Sequence, residues 1–312
     1  STAQFLLADS PCPPTFLPTY LPPSTAQFLS ARCREGGTGG TLVDMSDLDQ
    51  LDLPTFPHAV IATDDKGVRL ARGEVEESFR WASVTKLLTA AATLVAVDRH
   101  LVELDDPAGP QGATVRHLLA HTSGLPLDGT DLLGEPGRRR IYSNAGFEAL
   151  AEHVSEATGT PFSDWLEQTV LEPIGLSSVF LEGSPAHGAV GSAEDLAAFG
   201  RELLAPTALP AALVREAAEV QFPGVPGVLP GFGRQDPNDW GLGFEIRGTK
   251  EPHWTGAHNS PATFGHFGQS GSFLWVDPAA GLATAFLGAE PFGKWAADLW
   301  PRLSDAVLAE TR

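Results

Sequence analysis

The sequence predicts an α+β protein: one antiparallel sheet flanked by helices and assembled from both ends of the chain, with an all-helical lobe inserted between them. Three observations carry this. Runs of β-prone residues around turn clusters stand towards both ends, whereas apolar residues at three-and-four spacing dominate the middle. A chain of 312 residues with 42% hydrophobic content also has enough apolar material for a large core, in one body or two packed lobes.

Residues 1–55 read as a Pro/Gly-rich arm. Prolines cluster between Pro11 and Pro23, glycines between Gly36 and Gly40, and the hexapeptide Ser-Thr-Ala-Gln-Phe-Leu occurs at both 1–6 and 24–29. Such composition does not favour a packed domain. Both cysteines, Cys12 and Cys33, fall in this arm; two thiols in an intracellular chain is the simpler expectation and a disulfide the other.

Residues 56–312 read as the folded domain, with an α/β part at 56–86 and 240–312 and a helical lobe at 87–239. Segments 58–63 and 68–73 flank Asp64-Asp65-Lys66-Gly67 and predict a hairpin. Leu87, Leu88, Ala91, Leu94 and Val95 predict a buried helix from Ser83 to about His100. Phe147, Leu150, Ala151 and Val154 predict a second, stopped by Gly159 and Pro161; Phe162, Trp165, Leu166, Thr169 and Val170 predict a third. Ser192 with Asp195 marks the start of a fourth, through Leu204. Strands are then expected at 242–247, 272–276 and 282–287, the last two around Asp277-Pro278-Ala279-Ala280-Gly281. A final helix over 293–310 contains Pro301, a kink-forming residue.

The net charge of −19 argues against nucleic acid or an anionic membrane surface as partner, since both select basic patches. No apolar run approaches the roughly twenty residues of a membrane span. Nor does a basic segment followed by an apolar one stand at the amino end, so a cytoplasmic location is expected, with a secreted mature chain as the alternative.

The chemistry begins with Ser83 and Lys86 in Trp-Ala-Ser-Val-Thr-Lys, in a chain with only four lysines. Three residues apart at a helix start, the two side chains share a face. A serine hydroxyl becomes a nucleophile when a base takes its proton, and a lysine held neutral is such a base. Chance alone would produce a Ser-x-x-Lys in this composition ~0.2 times and a Tyr-x-Asn such as Tyr142-Ser143-Asn144 ~0.02 times. A third element, His266-Phe267-Gly268, precedes a strand-like run.

These three motifs, in this order, resemble those of the class C β-lactamases, D-Ala-D-Ala peptidases and related esterases. The likeness extends through 115–126 (Val-Arg-His-Leu-Leu-Ala-His-Thr-Ser-Gly-Leu-Pro), 140–176, 188–199 and 265–287, and covers roughly residues 56–311. It implies the β-lactamase/transpeptidase-like fold and a serine hydrolase forming an acyl-enzyme on Ser83 from a small-molecule acyl substrate. Lys86 and Tyr142 would share the proton transfers, and either could be the resting base. Asn144, His266, Phe267 and Gly268 would contact substrate, and the N–H groups of Ser83 and Gln269 would form the oxyanion site. The commonest third motif of the family is Lys-Thr-Gly, which receives a substrate carboxylate. His266 and Phe267 depart from it and favour an esterase or amidase. A D-amino-acid peptidase, a weak β-lactamase or a catalytically silent ligand-binding relative are the alternatives.

Other readings are weaker. His117 and His121 stand four apart, but Leu118 follows His117 where a metalloprotease carries glutamate, so both are expected to be structural. Gly268-Gln269-Ser270-Gly271-Ser272 lacks the final glycine of a nucleophile elbow, and Gly293-Lys294 is followed by Trp295 where a phosphate loop carries Ser or Thr. No metal and no organic cofactor is expected.

Overall fold

The computed structural model describes residues 47–311; the paired hexapeptides, Cys12 and Cys33 lie outside the described residues. In chain order the elements are β1 (His58–Thr63), β2 (Val68–Gly73), β3 (Phe79–Arg80), α1 (Thr85–Asp98), α2 (Val115–Leu119), α3 (Asn144–Thr158), α4 (Phe162–Leu166), α5 (Glu172–Ile174), β4 (Phe180–Leu181), β5 (Ala189–Gly191), α6 (Ala193–Leu204), α7 (Ala211–Ala217), β6 (Gly227–Leu229), β7 (Gly233–Gln235), β8 (Glu245–Ile246), β9 (Phe264–Gly268), β10 (Ser272–Asp277), β11 (Leu282–Gly288) and α8 (Lys294–Glu310).

A six-stranded antiparallel sheet in the order β2-β1-β11-β10-β9-β8 joins the two ends of the chain, as the sequence predicts. Its register sets Ile61 opposite Ala285 and Leu274 opposite His266. Side chains alternate across it. Ile61, Leu274, Val276, Ala283 and Ala285 pack into one core with α1, α3 and α6, whereas Val60, Phe273, Trp275 and Phe286 pack into a second core with α8. Sheet and helices therefore form layers, with the segment that carries Ser83 at the junction of sheet and helical lobe.

Several elements differ from expectation. Leu48 is buried in the second core, with Leu51 and Leu53 against it, so the packed body takes in residues before position 56. Helix α6 lies within 87–239 but packs on the sheet, where a Cβ at Gly200 would stand only 2.8 Å from Leu274 Cδ1. Ser192 caps this helix, its Oγ accepting from Asp195 N–H at 3.2 Å. The third predicted helix is not uniform: a π-helical segment, Glu167–Leu171, separates α4 from α5, next to Pro173, which has no N–H for the ladder. Only Glu245 and Ile246 of 242–247 pair as strand, because Gly243 turns the chain at φ +85°.

Candidate active site

Ser83 does not lie within α1. It occupies a 3-10 turn, Ala82–Val84, which runs into the helix at Thr85. The residue before it, Ala82, takes the left-handed conformation at φ +44°, rare for a side chain with a Cβ. The surroundings impose this. Ser270 Oγ donates to Arg80 O at 2.6 Å and Ser272 Oγ to Trp81 O at 2.8 Å, tying the approach to Ser83 onto the β9–β10 hairpin. Gly268 permits the close approach, since a Cβ there would lie 2.4 Å from Trp81 O.

Lys86 is fully buried. Its Nζ lies 3.5 Å from Ser83 Oγ and donates to Asn144 Oδ1 at 2.7 Å and Ala186 O at 2.9 Å. Asn144 is held in that orientation because its Nδ2 donates to Asp128 Oδ1 at 3.0 Å, and a carboxylate can only accept. Burial pushes Lys86 down to about 7, with Asp128 and Glu148 opposing. A neutral amine has two N–H bonds and one lone pair. Asn144 and Ala186 take the two protons, which leaves the lone pair for Ser83.

The Tyr142 hydroxyl is buried and makes no protein hydrogen bond of normal geometry, although Ser83 is near enough to pull its acidity slightly back. Burial wins and pushes the phenol well up, so it stays protonated. Its ring packs against that of His121 at 4.7 Å with the planes tilted by 42°, and lies beneath Lys86 Nζ at 4.8 Å. His121 Nδ1 accepts from Ser143 N–H at 3.1 Å, while His117 Nδ1 pairs with Thr114 Oγ1 at 2.9 Å; both histidines hold structure.

His266 is buried, with its ring 5.6 Å from that of Tyr142. Nδ1–H donates to Phe267 O at 2.6 Å. Burial and the nearby Lys86 push its pKa down to about 3, so it is uncharged near pH 7. Phe267 borders the same cavity, but its ring belongs to the second core, against Phe292, Trp254 and Trp300. Gln269 is pinned by Phe292, whose N–H donates to its carbonyl at 2.8 Å and whose carbonyl accepts from its Nε2 at 3.3 Å; neither bond engages the Gln269 N–H. Ser83, Tyr142, Asn144, His266, Phe267 and Gln269 all face one cavity of about 750 Å³.

The chain matches the Beta-lactamase family over residues 59–307. It belongs to that family. A beta-lactamase from Mycobacterium bovis with a crystal structure is 53% identical, with a TM-score of 0.81 over 82% of this chain and 95% of that one. The D-alanyl-D-alanine-carboxypeptidase/endopeptidase AmpH of Escherichia coli (strain K12) is 27% identical over 151 residues, 36% of this chain and 39% of AmpH. The match thus spans about two fifths of that relative's length. EstCE1, a hydrolase with promiscuous acyltransferase activity, shares the fold at 19% identity and a TM-score of 0.65, over 81% of this chain and 94% of that one. The chain is therefore a β-lactamase-fold protein of a hydrolase family whose relatives include a D-alanyl-D-alanine-carboxypeptidase/endopeptidase.

In this β-lactamase-family chain, several residues that shape the site carry no local sequence signal. Asp128 orients Asn144 from a loop, Ala186 contributes only its carbonyl, and Trp240 forms a wall beside His266 at 5.4 Å. Arg140 lines the cavity but is spent on structure: its guanidinium donates to the carbonyls of Asn238, Ala120 and Gln221 at 2.8, 2.5 and 2.9 Å. No helix among the described residues is long and apolar enough to cross a membrane.

Proposed function

We propose that the protein is a serine hydrolase that forms an acyl-enzyme on Ser83 and acts on esters or amides whose scissile carbonyl has no adjacent carboxylate. The observation that carries this is the buried Lys86, pushed to about 7, with its Nζ 3.5 Å from Ser83 Oγ. Neutral Lys86 takes the Ser83 proton as Oγ bonds to the acyl carbon. The oxyanion so formed is met by the N–H groups of Ser83 and Gln269. The carbonyl re-forms, the bond to the leaving group breaks, and Tyr142 hands that group a proton which Lys86 replaces. Water then attacks the ester carbon, gives its proton back through the same pair, and releases the acid and Ser83.

Covalent labelling tests the reading against a silent ligand-binding relative. A fluorophosphonate probe is expected to add to Ser83, located by peptide mass mapping; an unlabelled protein that still binds ligands in the cleft would establish the silent alternative.

The pH dependence follows from Lys86. Its neutral form is the active one, so kcat/KM is expected to rise with pH through about 7 and level off above it. Asp128 raises the lysine's pKa, so Asp128→Asn is expected to move this limb to lower pH. A pH–rate profile that falls through the same range would assign the base elsewhere.

The uncharged His266 and the apolar Phe267 favour esters over penicillin-like substrates, because a carboxylate brought beside them loses water without gaining a cation. Nitrophenyl acetate or butyrate is expected to exceed nitrocefin in kcat/KM by at least ~10-fold. Efficient nitrocefin hydrolysis with negligible esterase activity would reverse the assignment.

A further inference from the structure

The cavity is much larger than the chemistry at Ser83 requires. Its volume of about 750 Å³ lies in the upper part of the range for small-molecule sites. Large exposed hydrophobics are few among the described residues, and three of them line this cavity: Leu127 at 50% exposure, Leu133 at 54% and Val228 at 60%. A residue that is both exposed and cavity-lining stands at the mouth. Leu132, at 51%, adjoins them in sequence.

These side chains are not on slack loops. The Leu127 carbonyl accepts from Asn144 N–H at 2.8 Å and Ala145 N–H at 3.1 Å, at the start of α3. Leu133 N–H donates to Gly124 O at 2.9 Å, and its carbonyl accepts from Arg139. Val228 lies in β6, opposite Arg234 of β7. An apolar rim fixed by the backbone and continuous with an apolar cavity wall is built to receive apolar surface.

Charge at the mouth adds a second feature. In a chain of net charge −19, Arg139 and Arg234 line the cavity beside these residues. Arg234 is paired with Asp236 at 3.3 Å, whereas Arg139 is exposed and has no carboxylate partner among the described residues. At the inner end Lys86 lies against Ser83, Arg140 is spent on backbone carbonyls, and His266 is uncharged.

We infer that the substrate carries a large apolar body, of about eight carbons or more, filling the cavity from Ser83 to the rim, with any negative charge at its far end against Arg139. This rests on the acyl-enzyme reading of Ser83 and names the substrate class of that site. Each buried methylene contributes up to about fourfold in binding, so extending an acyl chain from two carbons to eight is selective even when only part of it is covered.

The test compares kcat/KM for nitrophenyl acetate, nitrophenyl octanoate and the mono-nitrophenyl ester of octanedioic acid, below micelle-forming concentrations. Octanoate is expected to exceed acetate by at least ~10-fold, and this ratio is expected to fall at least ~10-fold in Leu133→Asp and Val228→Asp, whose exposed positions spare the core. The ratio of the octanedioate ester to octanoate is expected to fall several-fold in Arg139→Gln. If acetate acylates Ser83 but octanoate reacts no faster, the large-body inference fails while the hydrolase reading stands. If no ester acylates Ser83, both fail. Should the rim variants leave the chain-length ratio intact and instead turn an oligomer into a monomer in sedimentation, the rim is a face for a second copy and the inference is overturned.

Discussion

Ser83→Ala is expected to fold normally and to form no covalent adduct with a nitrophenyl ester or a fluorophosphonate, with turnover reduced on the order of 10⁴-fold or more. Lys86→Met and Tyr142→Phe are each expected to cost ~10²–10⁴-fold. Combining them is expected to cost little beyond the worse single change, because in the proposed mechanism the two side chains relay one proton and the loss of either breaks the relay. A melting curve separates this from misfolding. The folded-state pKa of Lys86 lies below its unfolded value, so the penalty for burying its charged form is fully present below about pH 7 and disappears as pH rises towards ~10.4. Lys86→Met is therefore expected to melt no lower than the wild type at pH 6. Ester turnover by Lys86→Met at the wild-type rate would remove lysine from the mechanism.

The second large effect is on stability. Glu245 is buried at the cavity wall, where its carboxylate accepts from Lys250 Nζ, from His253 Nε2 at 3.0 Å and from Trp254 Nε1 at 2.9 Å. Burial alone would push this carboxyl up, but His253 and Lys250 together hold it well below the usual carboxylate range. Its contribution is thus present above the unfolded pKa of ~4.3 and is lost as pH falls below that. Glu245→Ala strands the buried Lys250 ammonium on the carbonyls of Asp239 and Ile246. A loss of about 3–5 kcal/mol is expected, read as a melting temperature lower by roughly 10 °C. Glu245→Leu combined with Lys250→Met is expected to recover most of it, since an apolar pair of similar volume leaves no charge unpaired. Equal losses in the single and double variants would show that the ion pair itself, and not the stranded charge, sets the stability.

The parts of the site that the sequence makes legible are those whose chemistry sits in a short motif. Ser83 with Lys86 and Tyr142 with Asn144 can be read because lysine, tyrosine and asparagine are scarce in this chain and the spacings fix which groups stand together at a helix start. The central strands are equally plain, since β10 and β11 are apolar runs around the four-residue turn 278–281. What the sequence hides depends on distant packing. Nothing local to Lys86 indicates that Ala186 O will meet its Nζ, nor does His266 reveal that burial will keep its ring neutral. Helix α6 is placed within a helical lobe by its position in the chain, yet its apolar side and Gly200 fit the sheet, which only the folded arrangement decides. The Glu245 cluster is obscure for the same reason: Glu, Lys and His within nine residues look like a solvated loop until β8 carries them inward.

The grip of Ser270 and Ser272 on the carbonyls of Arg80 and Trp81 spans about 190 positions of the chain. The turn that presents Ser83 is therefore completed by residues that leave the ribosome long after it does. A nascent chain that has emerged through Tyr142 already contains the serine, the lysine and the tyrosine, yet lacks the hairpin that bends Ala82 and supplies the Gln269 N–H. On the proposed mechanism, reactivity becomes a late event in the life of the chain, and partly synthesised or clipped forms ending before β10 would carry Ser83 without the turn that presents it.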